Sequence, residues 1–508
     1  MKRITLFWVA FIFFNRIVYA QISTFQHNYN TTDFNIVDTG EDILATSESF
    51  LLKSSILCED SIGGIVLCTG LIFTDSAGNE IWKKVYDKYP FALSMVKLRP
   101  LPQKKIIVCG AIGTPDGFKP YVSKLNDAGE VLWEKTYNDN DKKSAIDIYF
   151  LPDGGFLIQG FGSTGQYLQH VWVMKLDSLG VKLWDKIIDI GSPQYIGEDF
   201  AVLPNGDMAF GYRNSPVQDY QETLALTRTD SLGNVLWTKE YQNNEDDYCR
   251  AYMTPLHNGG FVLGYCIDTS SSSIQYGKPP KLFATDSLGN LAWTYTFTGA
   301  KRRTITRLIT ASNGDIIGSG YRFIDGNQYG WLFRLTQQGE LLWKRAYRPD
   351  QSVPVNIISE LNDVVETPDG GIAAIGTMLD SFPGGGISPD VWLLKVAADG
   401  CFTPGCTDSI LTAAVEPTGG IYKSERQVFF RLSPNPVGGE AGLAFFNPVP
   451  KDAVVRVFNA QGQPVREQEV PAGSGETVVD FSGLPAGLYS IVFEIEGKIV
   501  QAEKIVKL

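Results

Sequence analysis

The segment Asp177-Ser-Leu-Gly-Val-Lys-Leu-Trp184 occurs in related form six times in this chain and decides the fold. Five further copies end on a tryptophan at the same place, namely Trp82, Trp133, Trp237, Trp293 and Trp343. A seventh copy, Ala397-Ala-Asp-Gly400, has the turn glycine but no tryptophan. The glycines of the seven copies lie at positions 78, 129, 180, 233, 289, 339 and 400. This regular spacing predicts a repeat protein.

Each copy contains short apolar runs separated by turn signals. In the third copy the runs are residues 145–151, 156–160, 171–176 and 182–188, with Pro152-Asp-Gly-Gly155 between the first two. Turns of this kind between alternating runs are typical of β-hairpins. Four antiparallel strands in a repeat of this length are typical of a propeller blade. We therefore predict an all-β fold with a seven-bladed β-propeller of four-stranded blades at residues 21–406. In the first copy either Thr39-Gly40 or Gly63-Gly64 could be the first turn.

The last strand of most copies places the tryptophan and a second aromatic residue on one face, since residues four apart share a face of a strand. Examples are Trp82 with Tyr86 and Trp133 with Tyr137, with a basic residue between them. Because the pattern recurs at equivalent positions, we interpret the tryptophans as blade-packing residues. The alternative is an aromatic sugar-binding platform. The packing residues are Trp82, Trp133, Trp184, Trp237, Trp293 and Trp343.

The seventh copy lacks an outer strand, because Cys401-Phe-Thr-Pro-Gly-Cys406 stands where other copies have it. The missing pattern occurs near the N-terminus as Phe25-Gln-His-Asn-Tyr29. We predict that residues 23–29 form the outer strand of the last blade, antiparallel to residues 391–396. A disulfide between Cys401 and Cys406 is predicted to close the short loop.

The first twenty residues are typical of a secretory signal peptide. Lys2 and Arg3 precede an apolar run, and Val18-Tyr19-Ala20 suits a signal peptidase, so we expect cleavage between Ala20 and Gln21. The exported chain then meets an oxidising environment, in which disulfides persist.

Composition and motifs exclude several function classes. A formal net charge of -12 disfavours nucleic acid as a partner. Known nucleophile, phosphate-loop and zinc motifs are absent from the sequence. We expect no cofactor: Asp-Ser-x-Gly-Asn could be a calcium loop, but an aspartate that caps its own turn is the favoured interpretation. The acidic pairs Asp246-Asp247 and Glu198-Asp199, with Asp139 to Asp141, are interpreted as solvated loop charge, and a carboxylate pair for a glycan hydrolase or lyase is the alternative.

Residues 407–427 interrupt the pattern as a linker, and residues 428–508 predict a small β-sandwich. In this last segment, Ser433-Pro434-Asn435-Pro436, Val457 to Gly462, Leu484-x-x-Gly487-x-Tyr489 and the terminal Lys504 and Lys507 resemble the C-terminal sorting domain of type IX secretion cargo. The resemblance implies a Bacteroidetes-type source and partners in the type IX machinery and its sortase. It also implies a protein that is secreted or anchored at the outer-membrane surface.

The propeller repeats resemble those of secreted bacterial propeller proteins called quinoprotein-like or Kelch-like. The Asp-x-x-Gly-x-x-x-Trp element is similar to the tryptophan-docking motif of quinoprotein dehydrogenases, which is a packing motif there as well. Three hypotheses follow for the propeller. It is a binding or adhesion module for an extracellular glycan or protein, an extracellular polysaccharide hydrolase, lyase or sugar oxidase, or a structural component of the envelope.

Overall fold

The computed structural model describes most of the chain with defined gaps. The described residues are 24–29, 38–59, 65–86, 93–114, 117–137, 142–163, 169–188, 195–214, 223–241, 249–267, 279–298, 303–324, 327–348, 358–381, 387–403, 405–407, 410–412, 430–433, 436–445, 449, 451–459, 463–495 and 498–508. Two compact units divide the chain, residues 1–419 and residues 420–508. Within the described ranges, no helix is long and apolar enough to cross a membrane.

The first unit consists of short β-strands throughout its described residues. They are β1 (Phe25–Tyr29), β2 (Asp38–Ala45), β3 (Ser49–Glu59), β4 (Ile65–Asp75), β5 (Glu80–Tyr86), β6 (Leu93–Leu101), β7 (Lys105–Thr114), β8 (Gly117–Leu125), β9 (Val131–Thr136), β10 (Lys142–Phe150), β11 (Phe156–Ser163), β12 (Gln169–Leu176), β13 (Lys182–Ile188), β14 (Tyr195–Val202), β15 (Met208–Asn214), β16 (Thr223–Thr229), β17 (Val235–Tyr241), β18 (Cys249–Pro255), β19 (Phe261–Ile267), β20 (Lys281–Thr285), β21 (Leu291–Thr296), β22 (Arg303–Thr310), β23 (Ile316–Ile324), β24 (Asn327–Leu335), β25 (Leu341–Arg348), β26 (Ile358–Glu366), β27 (Ile372–Ser381), β28 (Ile387–Val396) and β29 (Ile410–Thr412).

These strands form four-stranded antiparallel groups in chain order: β2–β5, β6–β9, β10–β13, β14–β17, β18–β21 and β22–β25. A further group contains β26, β27 and β28, with β1 paired to β28. The first strands of successive groups pack against one another in a closed cycle: β2, β6, β10, β14, β18, β22, β26 and again β2. A single parallel bridge, from Gln328 to Ile358, also links the sixth group to the last. Such a cycle of antiparallel groups is a β-propeller, with one group per blade. In the described part of the chain, this cycle contains seven first strands.

The N-terminal strand β1 completes the last blade. Its pairing with β28 is antiparallel and runs from Phe25 opposite Lys395 to Tyr29 opposite Val391. Phe25 and Tyr29 are buried with Val391 in one hydrophobic cluster. The predicted closure is therefore confirmed over the described residues of the strand, and the two ends of the repeat array meet in one sheet.

Successive blades are joined through the outer-strand tryptophan and the turn glycine of the next blade. A Cβ atom on Gly129 would lie 2.7 Å from the Trp82 ring, and one on Gly180 would lie 2.8 Å from the Trp133 ring. The hydroxyl of Tyr86 donates a hydrogen bond to the Gly129 carbonyl oxygen at 2.6 Å. Since these glycines also have positive φ, a side chain there would meet both steric and backbone strain.

The same junction recurs around the ring, with one variation. Trp237, Trp293 and Trp343 lie over Gly289, Gly339 and Gly400, which agrees with the packing interpretation of these tryptophans. Gly233 is instead covered by Ile188 and the stem of Lys186, and Trp184 packs against the neighbouring hydrophobic cluster.

The closing strand reproduces this junction with different side chains. Phe25 and His27 cover Gly78, Tyr29 donates to the Gly78 carbonyl at 2.5 Å, and His27 Nε2 donates to the Ala77 carbonyl at 2.9 Å.

Two local expectations change. Both candidates for the first turn of the first copy are wrong: β2 and β3 are joined at Thr46–Ser49, and Gly40 lies within β2. The reason is that Gly40 is needed for a close approach to the Gly376 carbonyl rather than for a turn.

The predicted linker contains the strand β29, which pairs in parallel with β25. The Cys401–Cys406 disulfide is present as predicted.

The second unit is a small β-sandwich, as predicted. Its strands are β30 (Phe430–Ser433), β31 (Glu440–Phe445), β32 (Ala453–Phe458), β33 (Pro464–Val470), β34 (Glu476–Asp480), β35 (Gly487–Ile495) and β36 (Lys498–Lys507). One sheet has the order β30-β31-β34 and the other β33-β32-β35-β36. Side chains from both sheets, among them Leu443, Val455 and Phe493, form one buried cluster.

Gly180→Ala tests the tryptophan junction, with Gly370→Ala as the matched control. Both glycines have φ near +80°, but Gly370 has no atom within 4 Å of an added Cβ. Alanine at Gly370 should therefore lower the unfolding free energy only by the cost of holding a residue with a Cβ at positive φ, about 1 kcal/mol. Gly180→Ala should lose roughly 2–4 kcal/mol, because the Trp133 ring must also move. Denaturant unfolding measures both, and equal losses would contradict the junction.

Candidate functional site

A β-bulge recurs in the first strand of most blades and turns a charged residue toward the centre of the ring. The pairing register between first and second strands shifts just before this residue. In β18 there is no such shift, and Tyr252 holds the place equivalent in the repeat. Bulges re-aim a side chain and leave a backbone group outside the ladder. The charged residues are Asp42, Lys97, Asp147, Asp199, Arg307 and Asp363.

Some ion pairs between these residues join neighbouring blades, and others join blades that are not neighbours. Arg307 of β22 pairs with Asp199 of β14 at 2.5 Å, which joins two blades that are not neighbours. Its Nε lies 3.3 Å from Asp363 of β26. Lys97 of β6 lies 2.8 Å from Asp42 of β2 and 3.8 Å from the Asp363 carboxylate. The pairs therefore fill the space enclosed by the first strands at this level.

The carboxylates also hold the backbone of the next blade. Asp42 Oδ2 accepts a hydrogen bond from the Leu98 N–H at 2.6 Å, and Asp199 Oδ2 accepts one from the Met253 N–H at 2.9 Å. Asp363 accepts one from Ile43 at 3.3 Å, across the junction of the last and first blades. A buried carboxylate needs such partners, because its desolvation is otherwise very unfavourable.

A fifth pair lies beside these. Arg99 of β6 donates to Asp147 of β10 at 2.6 Å and to the Leu98 carbonyl at 2.8 Å. The hydroxyl of Tyr149, two residues after Asp147, donates to the Phe200 carbonyl of the following blade at 2.5 Å. We call Asp42, Lys97, Arg99, Asp147, Asp199, Arg307 and Asp363 the central charge network.

The network contains four carboxylates and three cations, and its electrostatics reflect that imbalance. Burial opposes ionisation of Asp42, but Lys97 and Arg99 outweigh it and hold the pKa of its carboxyl well below the usual range. Burial and the adjacent Asp42 carboxylate raise the pKa of Asp363 to about 6, against the opposing effect of Lys97 and Arg307. Burial also raises the pKa of Asp199, which Arg307 opposes.

Access to the network is asymmetric. The side chains of Lys97, Arg99 and Arg307 are 21%, 19% and 19% exposed, whereas those of Asp42 and Asp363 are 1% and 6% exposed. No group of residues that could hold a metal ion occurs in the described part of the chain.

One expectation about carboxylates is wrong. Asp199 was assigned to a solvated connection, but it is 2% exposed within β14 and pairs with Arg307. The bulge after Gly197 explains the error, because it breaks the alternation that marks a strand. Asp246-Asp247 and Asp139 to Asp141 lie outside the described residues.

The remaining members of the network were missed in the sequence. Alignment of the first strands on their turns would have found all of these except Arg99, since a charged residue then recurs at one position.

The Asp-Ser-x-Gly turns cap themselves, as the favoured interpretation expects. Asp75 Oδ1 accepts hydrogen bonds from the Ala77 and Asn79 N–H groups at 2.9 and 2.8 Å. The same pair of bonds recurs at Asp177, Asp230 and Asp286. The carboxylates are therefore already satisfied by the backbone of their own turn.

The residues of the sorting motif lie in the second unit. Ser433 ends β30, Gly487 begins β35, and Lys504 lies in β36. Tyr489 is buried and donates to the Pro485 carbonyl at 2.8 Å. Pro436 is exposed. Pro434, Asn435 and the Ala20–Gln21 cleavage site lie outside the described residues.

Comparisons with known proteins agree with this division. Residues 431–508 match the family described as the secretion system C-terminal sorting domain. The chain is similar to an α-L-arabinanase of Penicillium chrysogenum complexed with arabinobiose (14% identity, 60% of this chain, 93% of that chain, TM-score 0.39). It is also similar to PorZ of Porphyromonas gingivalis, a surface component of the type IX secretion system (11%, 92%, 74%, TM-score 0.30). A third similar structure is a family PL25 ulvan lyase (10%, 80%, 92%, TM-score 0.38). The sequence matches no curated protein.

The sorting domain confirms the expected export. A chain that carries it at the C-terminus is cargo of the type IX machinery and is secreted or attached at the outer-membrane surface.

Asp363→Asn tests the electrostatics of the network. The pKa of Asp363 is raised to about 6 in the folded protein, so the ionised carboxylate disfavours folding. The contribution of this group to the unfolding free energy is therefore lost as the pH rises through 6. Asparagine does not ionise and can donate to Asp42 as the protonated acid does. The stability of the parent relative to the variant should therefore fall by roughly 1–3 kcal/mol between pH 5 and pH 8.

Asp127→Asn, at an exposed turn residue, is the control and should show no such fall. Denaturant unfolding across this pH range measures the difference. Parallel pH profiles for the parent and Asp363→Asn would contradict the assignment.

Proposed function

We propose that this exported protein is a cell-surface binding protein, whose propeller holds an extracellular glycan or protein by the connections at one edge of its blades. The observation that carries the proposal is the contrast between the two edges of the sheets. Rigid scaffolds that present variable connections are typical of binding proteins.

One edge consists of tight turns locked to their neighbours. The turn after each third strand is closed by its own backbone bonds, as at Asp177 to Val181, and covered by the previous blade. The turn after the first strand is tied to the third strand, as in the Lys175–Asp153 pair at 2.8 Å. This edge has little freedom to adapt to a ligand.

The other edge carries the connections that vary. The segment between the second and third strands is residues 115–116 in the second blade and residues 268–280 in the fifth. The segments from outer strands to the next first strands start from the same edge. Differences of this size between otherwise regular repeats support ligand recognition by this edge.

The central charge network supports a scaffold role. Asp42, Asp199 and Asp363 each accept a backbone N–H from the next blade and pair with a cation. A carboxylate that works as a general acid or base must instead reach the substrate. These contacts favour binding over catalysis.

A second candidate function is a polysaccharide hydrolase or lyase. The pKa of about 6 at Asp363, raised by burial and by Asp42, is the specific observation that favours it, because a general acid works best near the ambient pH. The low exposure of both carboxyls opposes it.

The export route adds an expectation about maturation. We propose that a surface sortase removes the second unit after transport, so that the cell-surface form lacks residues 1–20 and the segment from about residue 427. The resemblance to sorting domains supports this step.

The binding proposal is tested with a variant in which residues 269–277 are replaced by Asn-Gly, which gives the fifth blade a short connection like that of the second. Affinity gels with a panel of neutral extracellular polysaccharides, and matrix proteins on a biosensor, measure retention of the purified chain. We expect at least one ligand to retain the parent chain. The variant should no longer be retained by that ligand, although its melting temperature should equal that of the parent. Leu179→Ser, on the tight-turn edge, is the control and should bind as the parent does.

Equal retention of parent and variant would contradict the proposed face. Release of reducing ends or unsaturated products, abolished by Asp363→Asn, would establish the hydrolase or lyase instead.

A further inference from the structure

The first turn of a blade carries a repeated ion pair. A cation near the end of the third strand pairs with a carboxylate of the turn between the first two strands. Four blades show it, with distances of 2.6 to 2.8 Å. The pairs are Lys175–Asp153, Arg228–Asp207, Arg334–Asp315 and Lys395–Asp369.

The first turn of the second blade lacks the carboxylate of this ion pair and is more positively charged than the turns of these four blades. Where the third blade has Pro152-Asp-Gly-Gly155, the second has Pro102-Gln-Lys-Lys105. The cation of the third strand is kept as Lys124, whose register position corresponds to Lys175. Relative to the third blade, each of the three replacements makes the turn more positive by one charge. We call Lys104, Lys105 and Lys124 the lysine turn.

These replacements lower the stability of the folded chain when no ligand is bound. Gln103 and Lys104 have φ values of 64° and 57°, and among the described residues they are the non-glycine residues with positive φ. Residues with a Cβ adopt this conformation at a cost that glycine does not have. Within the described part of the chain, no carboxylate pairs with Lys124, and partial burial and the Lys105 ammonium lower its pKa.

The contacts of the lysine turn leave its charge available. Lys104 pairs with Glu48 at 3.2 Å, but their side chains are 76% and 75% exposed, so this pair is weak. Lys105 donates to the neutral Gln103 side chain at 2.9 Å. A positive turn has therefore been placed, at a cost in strain and repulsion, on a chain with a net charge of -12.

We propose that the lysine turn binds the anionic groups of an extracellular polysaccharide. Ammonium groups on flexible stems suit sulfate or carboxylate groups, which carry a full charge and accept several hydrogen bonds. A polysaccharide with spaced charges fits better than nucleic acid, because the acidic remainder of the protein repels a dense phosphate backbone. The site lies on the tight-turn edge, opposite the variable connections, and does not depend on the function proposed for them.

The test restores the repeat pattern in the full chain with the triple variant Gln103→Asp, Lys104→Gly, Lys105→Gly. This variant should melt at or above the parent temperature, because it removes the strain and gives Lys124 a carboxylate. The control, Lys83→Gln, Lys182→Gln, Lys239→Gln, removes the same net charge from exposed outer strands. Binding to immobilised dextran sulfate and polygalacturonate is measured at low salt, with neutral dextran and polyglutamate for comparison.

We expect the parent and the control to bind at least one of the two anionic polysaccharides and not dextran. The triple variant should bind about tenfold more weakly or not at all, with a smaller salt dependence. A chain shortened at residues 269–277 should bind as the parent does, which separates this site from the variable connections. Equal binding by the triple variant, no binding by the parent, or tighter binding of polyglutamate would each overturn the proposal.

Discussion

The contact of an indole ring with a turn glycine of the next blade is the interaction on which the propeller depends. Trp82, over Gly129, shows what the contact requires: a left-handed glycine, a flat ring above it and a tyrosine hydroxyl on its carbonyl. A single four-stranded sheet leaves apolar surface on both faces, so it is stable only against neighbours. The contact supplies the outer part of five of these interfaces, and Ile188 with Lys186, or Phe25 with His27, takes its place at two others. Where an aspartate begins the covered turn, as at Asp177 and Asp286, its carboxylate accepts the N–H groups of that turn.

The central charge network plays the complementary role at the inner strands. The aspartates Asp42, Asp199 and Asp363 accept backbone N–H groups from the first strands of the following blades, in bulged strands and in the regular strand β18 alike. Cations then compensate the buried carboxylates, and Arg307 joins blades that do not touch directly. We infer that such a network favours one arrangement of the blades more than it adds stability, because desolvation offsets most of the attraction within buried ion pairs.

The sequence was sufficient to predict the features that repeat and insufficient to predict the features that interrupt the repeat. The turn glycines and outer tryptophans revealed the blades, and Phe25 and Tyr29 revealed the closing strand because they match the outer-strand pattern. The bulges hid the central network, since an inserted residue destroys the alternation by which strands such as β14 are recognised. The first turn of the first blade was missed for a related reason: its Thr46–Ser49 turn contains no glycine.

Ring closure by β1 is the central claim of this account, and native-state hydrogen exchange tests it most directly. If the N-terminal strand is an integral part of the last blade, the amides of Phe25–Tyr29 should be protected to the same level as those of Val391–Val396, with which they pair. Both segments should then become exchangeable together, in one cooperative opening. Exchange of residues 25–29 at the rate of an unstructured chain, while residues 391–396 remain protected, would contradict the closed ring.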